Sequence, residues 1–284
     1  MMKIIIGLFT GIILGLPVFA QSYAGTEVPT DFQDKSTVKI VKEFGVLLDS
    51  ANMHGVILVF DAMNNTLFTN DFEASKQGHL PASTFKIANS VIGLESGVVD
   101  SDTSIFRWDG SPRRLSAWEK DLSLREAFQV SCVPCYQQLA HKIGYSRMHD
   151  WLDKLHYGRM VFDSTQTDVF WLEGGSRISP IEQIDFLQRL YEGKLPVSEK
   201  TILLMKQLML LEKHDHWQLS GKTGWAIRNE NNTGWFVGYL ENTRGVYYFA
   251  VLIQPETAFN MELFPIMRKA ITMKALEQMR LFDE

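Results

Sequence analysis

The sequence predicts an α+β protein in which one mixed sheet is built from both ends of the chain, with a helical region inserted between them. Short apolar runs bounded by turn residues, typical of strands, occur near 56–68 and again over 217–253. Between these runs, apolar residues recur mainly at helical spacing. We therefore expect a sheet subdomain from about 21–80 and 214–284, and a helical subdomain from about 81–213.

The first half of the chain shows a helix followed by two strands. Apolar residues at helical spacing predict a helix over 38–48, and a continuous apolar run predicts a buried strand over 56–60. Asn64 and Asn65 are a turn signal, and a returning strand begins at Leu67. The order helix, strand, turn, strand is expected to form one edge of the sheet.

The later elements are marked by helix caps and by apolar strands. Capping boxes at Ser123–Glu126 and Ser179–Glu182 each predict a helix start, and Thr201–Leu211 is strongly helical. The remaining predicted elements are strands over 217–225, 234–240 and 246–253 and a helix over 265–279.

The first twenty residues have the pattern of a cleavable secretory signal. Lys3 is the only charged side chain in this segment, and residues 4–19 are almost wholly apolar. Ala20 ends a run with small or short side chains at the positions that a signal peptidase recognises. A membrane anchor is the alternative, although the run is short for a membrane span. With no cysteine near the cut, a lipid anchor is not expected. We expect the mature chain, 21–284, to be a single domain that is periplasmic or secreted.

Composition and charge narrow the class of partner. The 284 residues are 45% hydrophobic and 21% charged, as in ordinary globular proteins. The 28 basic and 33 acidic residues give a formal charge of −5 and form no basic cluster. Because nucleic acids and anionic membranes attract basic surfaces, we expect neither as a partner of the mature chain.

A serine and a lysine three residues apart form the first candidate catalytic pair. A helix that starts near Ser83 places Ser83 and Lys86 on one face. Serine is a weak nucleophile, and a lysine whose pKa is lowered by burial is a suitable base for it. The alternative is that Ser83 only caps the helix. Ser36 and Lys39 have the same spacing, but there we expect Ser36 to cap the 38–48 helix and Lys39 to lie in water.

Two further segments carry candidate site residues. Lys222, Thr223 and Gly224 lie within a predicted strand, where an ammonium and a hydroxyl are able to hold an anion. An exposed strand lysine is the alternative. Ser131, in the segment Ser-Cys-Val, precedes a predicted helix, so it is either a functional hydroxyl or a helix cap.

Taken in order, Ser-x-x-Lys, Ser-x-Val and Lys-Thr-Gly resemble the motifs of class D (oxacillinase-type) serine β-lactamases. The resemblance covers nearly the whole mature chain and includes Pro81–Lys86, Phe170–Gly174, Gly234–Gly238 and Arg268. It implies a β-lactamase/transpeptidase-like fold, with an antiparallel sheet flanked by helices plus a helical subdomain. It also implies a small-molecule β-lactam as substrate and a chain that is monomeric or homodimeric.

The same resemblance implies a role for each site residue. Ser83 is the nucleophile, and Lys86, carboxylated by carbon dioxide, is the general base that deprotonates Ser83 and later activates water. Ser131 relays a proton to the departing nitrogen. The implied substrate-binding residues are Lys222, Thr223, Gly224, Trp225 and Arg268, and the implied pocket around the carboxylated lysine consists of Phe85, Val133, Trp171 and Leu172. No metal and no cofactor other than carbon dioxide or bicarbonate is expected.

The match departs from the common pattern of the class in one segment. Tyr157, Gly158 and Arg159 stand where the class commonly has Tyr-Gly-Asn, so a large cation replaces an amide.

The motifs leave other functions to consider. A β-lactam sensor domain or a penicillin-binding transpeptidase would share the motifs and acylate without rapid turnover. An unrelated Ser-Lys peptidase would need neither the Lys-Thr-Gly strand nor the segment around Trp171.

Cys132 and Cys135 are the two cysteines of the chain. No second pair or nearby histidine pattern completes a zinc site. We expect two small, partly buried residues on one helical turn. A local disulfide is the first alternative, because an exported chain meets an oxidising compartment, and a redox-catalytic pair is the second.

Overall fold

The computed structural model describes residues 36–228 and 231–283, so the predicted signal over 1–20 lies outside the described residues. The helices are α1 (Lys42–Ser50), α2 (Lys86–Glu95), α3 (Leu124–Gln129), α4 (Val133–Ile143), α5 (Tyr145–Leu155), α6 (Pro180–Tyr191), α7 (Glu199–Met209) and α8 (Phe264–Gln278). The strands are β1 (Thr37–Ile40), β2 (Met53–Asp61), β3 (Thr66–Thr69), β4 (Ile105–Phe106), β5 (Leu122–Ser123), β6 (Leu210–Lys213), β7 (Trp217–Arg228), β8 (Asn231–Asn242) and β9 (Gly245–Pro255).

Both ends of the described chain contribute to one sheet. Its strand order is β1-β3-β2-β9-β8-β7-β6, and β4 and β5 form a separate small ribbon. The two halves join where β2 pairs antiparallel with β9, from Met53 opposite Pro255 to Asp61 opposite Tyr247. The predicted fold class with one mixed sheet is confirmed: β1 runs parallel to β3, and the other pairs of this sheet are antiparallel.

The two faces of the sheet bury separate hydrophobic cores. Successive side chains of a strand point to opposite faces, so the unbroken apolar run of β2 serves both. Val56, Leu58 and Phe60 join the helices of the inserted region in the larger core. Ile57 and Val59 face α1 and α8 in the smaller core. This two-sided burial explains why β2 is continuously apolar instead of alternating.

Two predicted helices are shorter than expected, because residues at one end of each form a β-strand instead. Residues 37–40 pair with β3, so the first helix begins only at Lys42. The predicted cap at Ser36 is wrong, since its hydroxyl donates to Asn65 Oδ1 in a turn. The helix expected to reach Leu211 ends at Met209, because β6 pairs with β7. In each case sheet pairing overrides local helical spacing.

The capping predictions are confirmed at both sites. Ser179 accepts from the Glu182 backbone N–H, while the Glu182 carboxylate accepts from the Ser179 backbone N–H, and Pro180 opens α6. The reciprocal bonds recur at Ser123 and Glu126 before α3. Across the residues that the structure describes, no helix is both long and apolar enough to cross a membrane.

We predict that Ser179→Ala lowers the free energy of unfolding by about 1 kcal/mol, because the Glu182 backbone N–H loses its acceptor and the Glu182 carboxylate loses the hydroxyl that donates to it. Urea denaturation measures the change. Ser50→Ala is the control: the exposed Ser50 hydroxyl donates to the Val46 carbonyl and caps no N-terminus, so its effect stays below about 0.5 kcal/mol. Equal effects of the two substitutions would contradict the prediction.

Candidate active site

Ser83 lies in one tight turn, Ala82–Phe85, that runs directly into α2. Ala82 has φ +50°, in the left-handed region, and its N–H donates to the Trp171 carbonyl over 2.8 Å. The buried Thr84 hydroxyl donates to the Pro81 carbonyl over 2.7 Å and accepts from Gln183 Nε2 over 2.9 Å. These bonds hold the turn on both sides of Ser83, whose side chain stays partly open to solvent.

Lys86 meets Ser83 at the first turn of α2. Its Nζ lies 2.9 Å from Ser83 Oγ, and the lysine is fully buried. Burial, and next the positive charge of Lys222, lower the pKa of Lys86 well below its usual 10.5. Nζ also lies 5.2 Å from the centre of the Tyr136 ring. The predicted pairing of Ser83 with Lys86 is therefore present, and the environment favours a neutral amine.

Strand β7 passes close against the Ser83 turn, and glycine makes the approach possible. A Cβ at Gly224 would lie 3.1 Å from Thr84 Cγ2 and 3.2 Å from the Pro81 carbonyl oxygen. Lys222, on the same strand, is 5% exposed, so the alternative of an exposed strand lysine is wrong. Burial, followed by the charge of Arg268, lowers the pKa of Lys222 to about 7.

Arg268 reaches this strand from α8. Its Nη1 donates to the Gly224 carbonyl over 2.8 Å, and burial lowers its pKa to about 10. A Cβ at Gly234, on the neighbouring strand, would lie 2.8 Å from Arg268 Cγ, so only glycine lets the arginine pass. Thr223 and Trp225 are half-buried on β7 beside it. The buried Lys222 of β7 and the half-buried Arg268 of α8 together form a site suited to an anion.

Ser131 lies on the short link between α3 and α4. It is half-buried with φ +54°, a strained value for a residue other than glycine, and its N–H donates to the Phe128 carbonyl. The Phe128 ring lies 5.7 Å from Lys222 Nζ, while Tyr136 of α4 contacts Lys86. Ser131 does not cap α4, because the N-cap is Cys132. The link thus joins α3, whose Phe128 lies near Lys222, to α4, whose Tyr136 lies near Lys86.

Trp171 forms part of the aromatic packing behind the Ser83 turn. Its ring stacks on Phe85 with centroids 5.1 Å apart, and the side chain is fully buried. Among the described residues, Trp171 Nε1 has no hydrogen-bond partner. Leu172 is half-buried beside it, and Val133 is half-buried at the start of α4. A buried N–H without a partner is costly unless a bound group accepts from it.

Cys132 and Cys135 form a disulfide, so the expectation of two unlinked cysteines is wrong and the first alternative is correct. The Cys132 sulfur also accepts from the Cys135 backbone N–H at the start of α4. Both residues are buried. Spacing alone does not distinguish a disulfide from a reduced pair, because both fit one helical turn.

Two residues near the site were not among the predicted ones. Gln183 lies fully buried on α6 and holds Thr84, and a polar residue within the apolar stripe of that helix was the available signal. Arg228, at the end of β7, donates to the Leu172 carbonyl and lies 3.7 Å from the Glu173 carboxylate. No local pattern marks that contact, since 56 residues separate Arg228 from Leu172.

The departure at Arg159 lies on the surface of the protein. Its backbone N–H donates to the Arg177 carbonyl and its carbonyl accepts from the Arg177 N–H, both over 2.8 Å. Gly158 has φ +56°, and a Cβ there would lie 2.6 Å from the Arg177 carbonyl oxygen. The Arg159 residue is exposed, so the large cation is accommodated without disturbing either core.

Comparison with known proteins gives a consistent family. A family model for the penicillin binding protein transpeptidase domain matches residues 44–270. Beta-lactamase OXA-10 of Pseudomonas aeruginosa is 40% identical over 233 residues, covering 79% of this chain and 84% of that protein. OXA-48 of Klebsiella pneumoniae is 41% identical over 224 residues, covering 79% and 83%. A class D beta-lactamase structure from Sebaldella termitidis ATCC 33386 superposes with TM-score 0.82 at 37% identity, covering 87% and 98%.

The sheet flanked by helices, with Ser83 and Lys86 facing a Lys-Thr-Gly strand, defines a serine enzyme of the penicillin-binding transpeptidase fold. Within that fold the relatives narrow the assignment. The chain belongs to the class D, or OXA-type, serine β-lactamases. The resemblance seen in its motifs is thereby confirmed over most of the chain.

We predict that Lys222→Met raises the free energy of unfolding, and that the difference from wild type is largest below pH 7. This difference in free energy becomes smaller as the pH rises towards 10.5. The folded-state pKa of Lys222 is lowered, so between these values the unfolded chain binds more protons and wild-type stability increases with pH. Urea denaturation in bicarbonate-free buffer at several pH values measures the difference. The control, Lys269→Met, removes a more exposed ammonium that pairs with Glu212. A difference independent of pH would show that Lys222 stays charged.

Proposed function

We propose that this chain hydrolyses β-lactams through an acyl-enzyme on Ser83, with Lys86, carboxylated on Nζ, as the general base for acylation and deacylation. The observation that carries the proposal is the 2.9 Å contact between Ser83 Oγ and a fully buried lysine of lowered pKa. A hydroxyl next to such a side chain is activated as a nucleophile. The β-lactamase relatives support the choice of substrate class.

Substrate binding falls to the cations of β7 and α8. The β-lactam carboxylate is held by Lys222, the Thr223 hydroxyl and Arg268. Arg268 already spans the strand edge, and its planar guanidinium suits a carboxylate better than a point charge does. A bound carboxylate in turn raises the pKa of Lys222 towards its usual value, because the opposite charge favours the ammonium form.

Acylation begins when the Ser83 proton moves to a base held at the end of the Lys86 side chain. Ser83 Oγ bonds to the lactam carbonyl carbon, and the carbonyl–nitrogen bond breaks. Ser131 relays the proton that the base took from Ser83 to the departing nitrogen, which leaves the base free again. The backbone N–H groups of Ser83 and Trp225 stabilise the oxyanion, and one such donor contributes about 2.7–4 kcal/mol in other enzymes.

The residues around Lys86 fit a carboxylated lysine. Only a neutral amine adds to carbon dioxide, and burial favours that form of Lys86. Trp171 Nε1, buried and without a partner among the described residues, supplies a donor for a new buried anion. Such a carbamate would supply an anionic base beside Ser83, and we assign Phe85, Val133 and Leu172 to its apolar surroundings.

Deacylation uses water in the place of the departed nitrogen. A base at Lys86 takes one water proton, the water oxygen bonds to the acyl carbon, and the bond from that carbon to Ser83 Oγ breaks. The base returns that proton to Ser83 Oγ, and the ring-opened acid leaves. A transpeptidase or sensor would stop before this step, so turnover distinguishes the proposed activity from those alternatives.

We further propose that residues 1–20 are removed on export, and that 21–284 act as one periplasmic or secreted domain. The apolar run behind a single lysine supports the export proposal. Strands from the beginning and from the end of the described chain form one continuous sheet, which supports a single folding unit.

We predict that purified 21–284 hydrolyses a chromogenic cephalosporin over many turnovers and that added bicarbonate raises the rate. Ser83→Ala reduces hydrolysis to the uncatalysed background, because no acyl-enzyme forms. Absorbance at saturating substrate measures turnover, and mass spectrometry detects any adduct. A single stoichiometric burst that leaves a stable adduct on Ser83 would instead identify a sensor or transpeptidase.

We predict that Trp171→Phe raises the bicarbonate concentration for half-maximal activity about tenfold or more, since a hydrogen bond to a charged group contributes about 1.5–3 kcal/mol. The substitution retains an aromatic ring against Phe85 and removes only the Nε1 donor side of the indole. Bicarbonate titration of the initial rate measures the shift. Trp217→Phe, at the distant start of β7, is the matched control. An unchanged bicarbonate titration would show that Trp171 contributes only packing and no hydrogen bond to the carboxylated lysine.

A further inference from the structure

The disulfide between Cys132 and Cys135 lies next to Ser131, and the proposed mechanism does not use it. The Ser-x-Val motif accounts for Ser131 and Val133 but not for either sulfur. These are the two cysteines of the whole sequence, so the bond has no competing thiol within the chain. Both half-cystines are buried within the larger core.

The bond braces the first turn of α4. Cys132 is the N-cap of the helix and Cys135 is its third residue, so the disulfide joins two positions that otherwise share only the Cys135 N–H bond to sulfur. Just before the cap, Ser131 holds φ +54°. Such a backbone conformation costs about 1–3 kcal/mol and persists only when its surroundings enforce it. A covalent link at the following residue limits how that turn relaxes.

The braced turn also carries one wall of the Lys86 pocket. Tyr136 directly follows Cys135, and its ring centre lies 5.2 Å from Lys86 Nζ. Its hydroxyl shares a 2.7 Å hydrogen bond with Ser90, and its carbonyl accepts from Asn89 Nδ2 over 3.3 Å. The disulfide therefore lies between the proposed proton relay on one side and the surroundings of the proposed base on the other.

We propose that the Cys132–Cys135 disulfide is a positioning element for catalysis, which holds Ser131 in its left-handed conformation and Tyr136 against Lys86. This inference rests on the proposed roles of Ser131 and Lys86. The carboxylate-binding residues Lys222 and Arg268 lie on β7 and α8, outside the braced turn. Breaking the bond therefore lowers kcat and weakens the response to bicarbonate, while KM stays close to its original value.

The experiment compares oxidised and reduced forms of the same chain. Dithiothreitol supplies two electrons and two protons, converts the disulfide to two thiols and is itself oxidised to a cyclic disulfide. Both sulfurs remain in the core, so only the covalent link is removed. Thiol titration confirms the reduction, circular dichroism confirms the fold, and hydrolysis of a chromogenic cephalosporin gives kcat and KM across a bicarbonate series.

We expect reduction to lower kcat about tenfold or more, since small displacements of catalytic groups cost up to about a hundredfold. The half-activating bicarbonate concentration rises, KM changes less than about twofold, and reoxidation restores the rate. The double variant Cys132→Ala/Cys135→Ala is slow from the start and insensitive to dithiothreitol. It also serves as the test molecule if reduction unfolds the wild-type chain.

Three results would overturn the inference. An unchanged kcat in the reduced, folded chain or in the folded double variant removes the positioning role. A rise in KM with kcat unchanged shows that the bond supports the substrate-binding edge instead. Absence of turnover in the oxidised chain overturns the hydrolase proposal and this inference with it, whereas the first two results leave hydrolysis intact.

Discussion

The contact between Ser83 and a fully buried Lys86 is the interaction on which the rest of the site depends. A charged ammonium is expensive to bury, so the fold favours the neutral amine, and the nearby charge of Lys222 adds to that preference. Only the neutral amine has a lone pair, so only that form is able to accept a proton or to add to carbon dioxide. The desolvation that lowers its pKa comes from close packing around α2, which makes the chemistry a product of the core.

The sheet supplies a rigid opposite wall to that lysine. Glycine at 224 lets β7 come within van der Waals distance of the Ser83 turn, and glycine at 234 lets Arg268 cross to the same strand. The neighbouring strand β8 contributes Trp235 to the larger core and Phe236 to the smaller one, so its backbone has little freedom to move. Strand register therefore places Lys222 and α8 places Arg268, whereas Ser83 and Lys86 are placed by the start of a helix.

The link that carries Ser131 approaches the site from the helical region, with Phe128 near Lys222 on one side and Tyr136 near Lys86 on the other. Its strained backbone, the disulfide at the next residue and the Tyr136 ring against Lys86 form one short structural unit. The site thus sits where three independently held pieces meet: a helix start, a strand edge and a braced interhelical link. Such junctions favour precise placement of polar groups within an otherwise apolar surrounding.

Local sequence determined much of this protein. Capping residues set the starts of α3 and α6, apolar runs marked the long strands, and the three ordered motifs indicated Ser83, Lys86, Ser131 and Lys222, because those patterns depend on neighbours a few residues apart. Tertiary structure alone decided the rest. Residues 37–40 and 210–213 became strands because partners distant in the chain paired with them. The burial of Lys222, the support of Thr84 by Gln183 and the oxidised state of Cys132 likewise required contacts or packing that helical spacing does not encode.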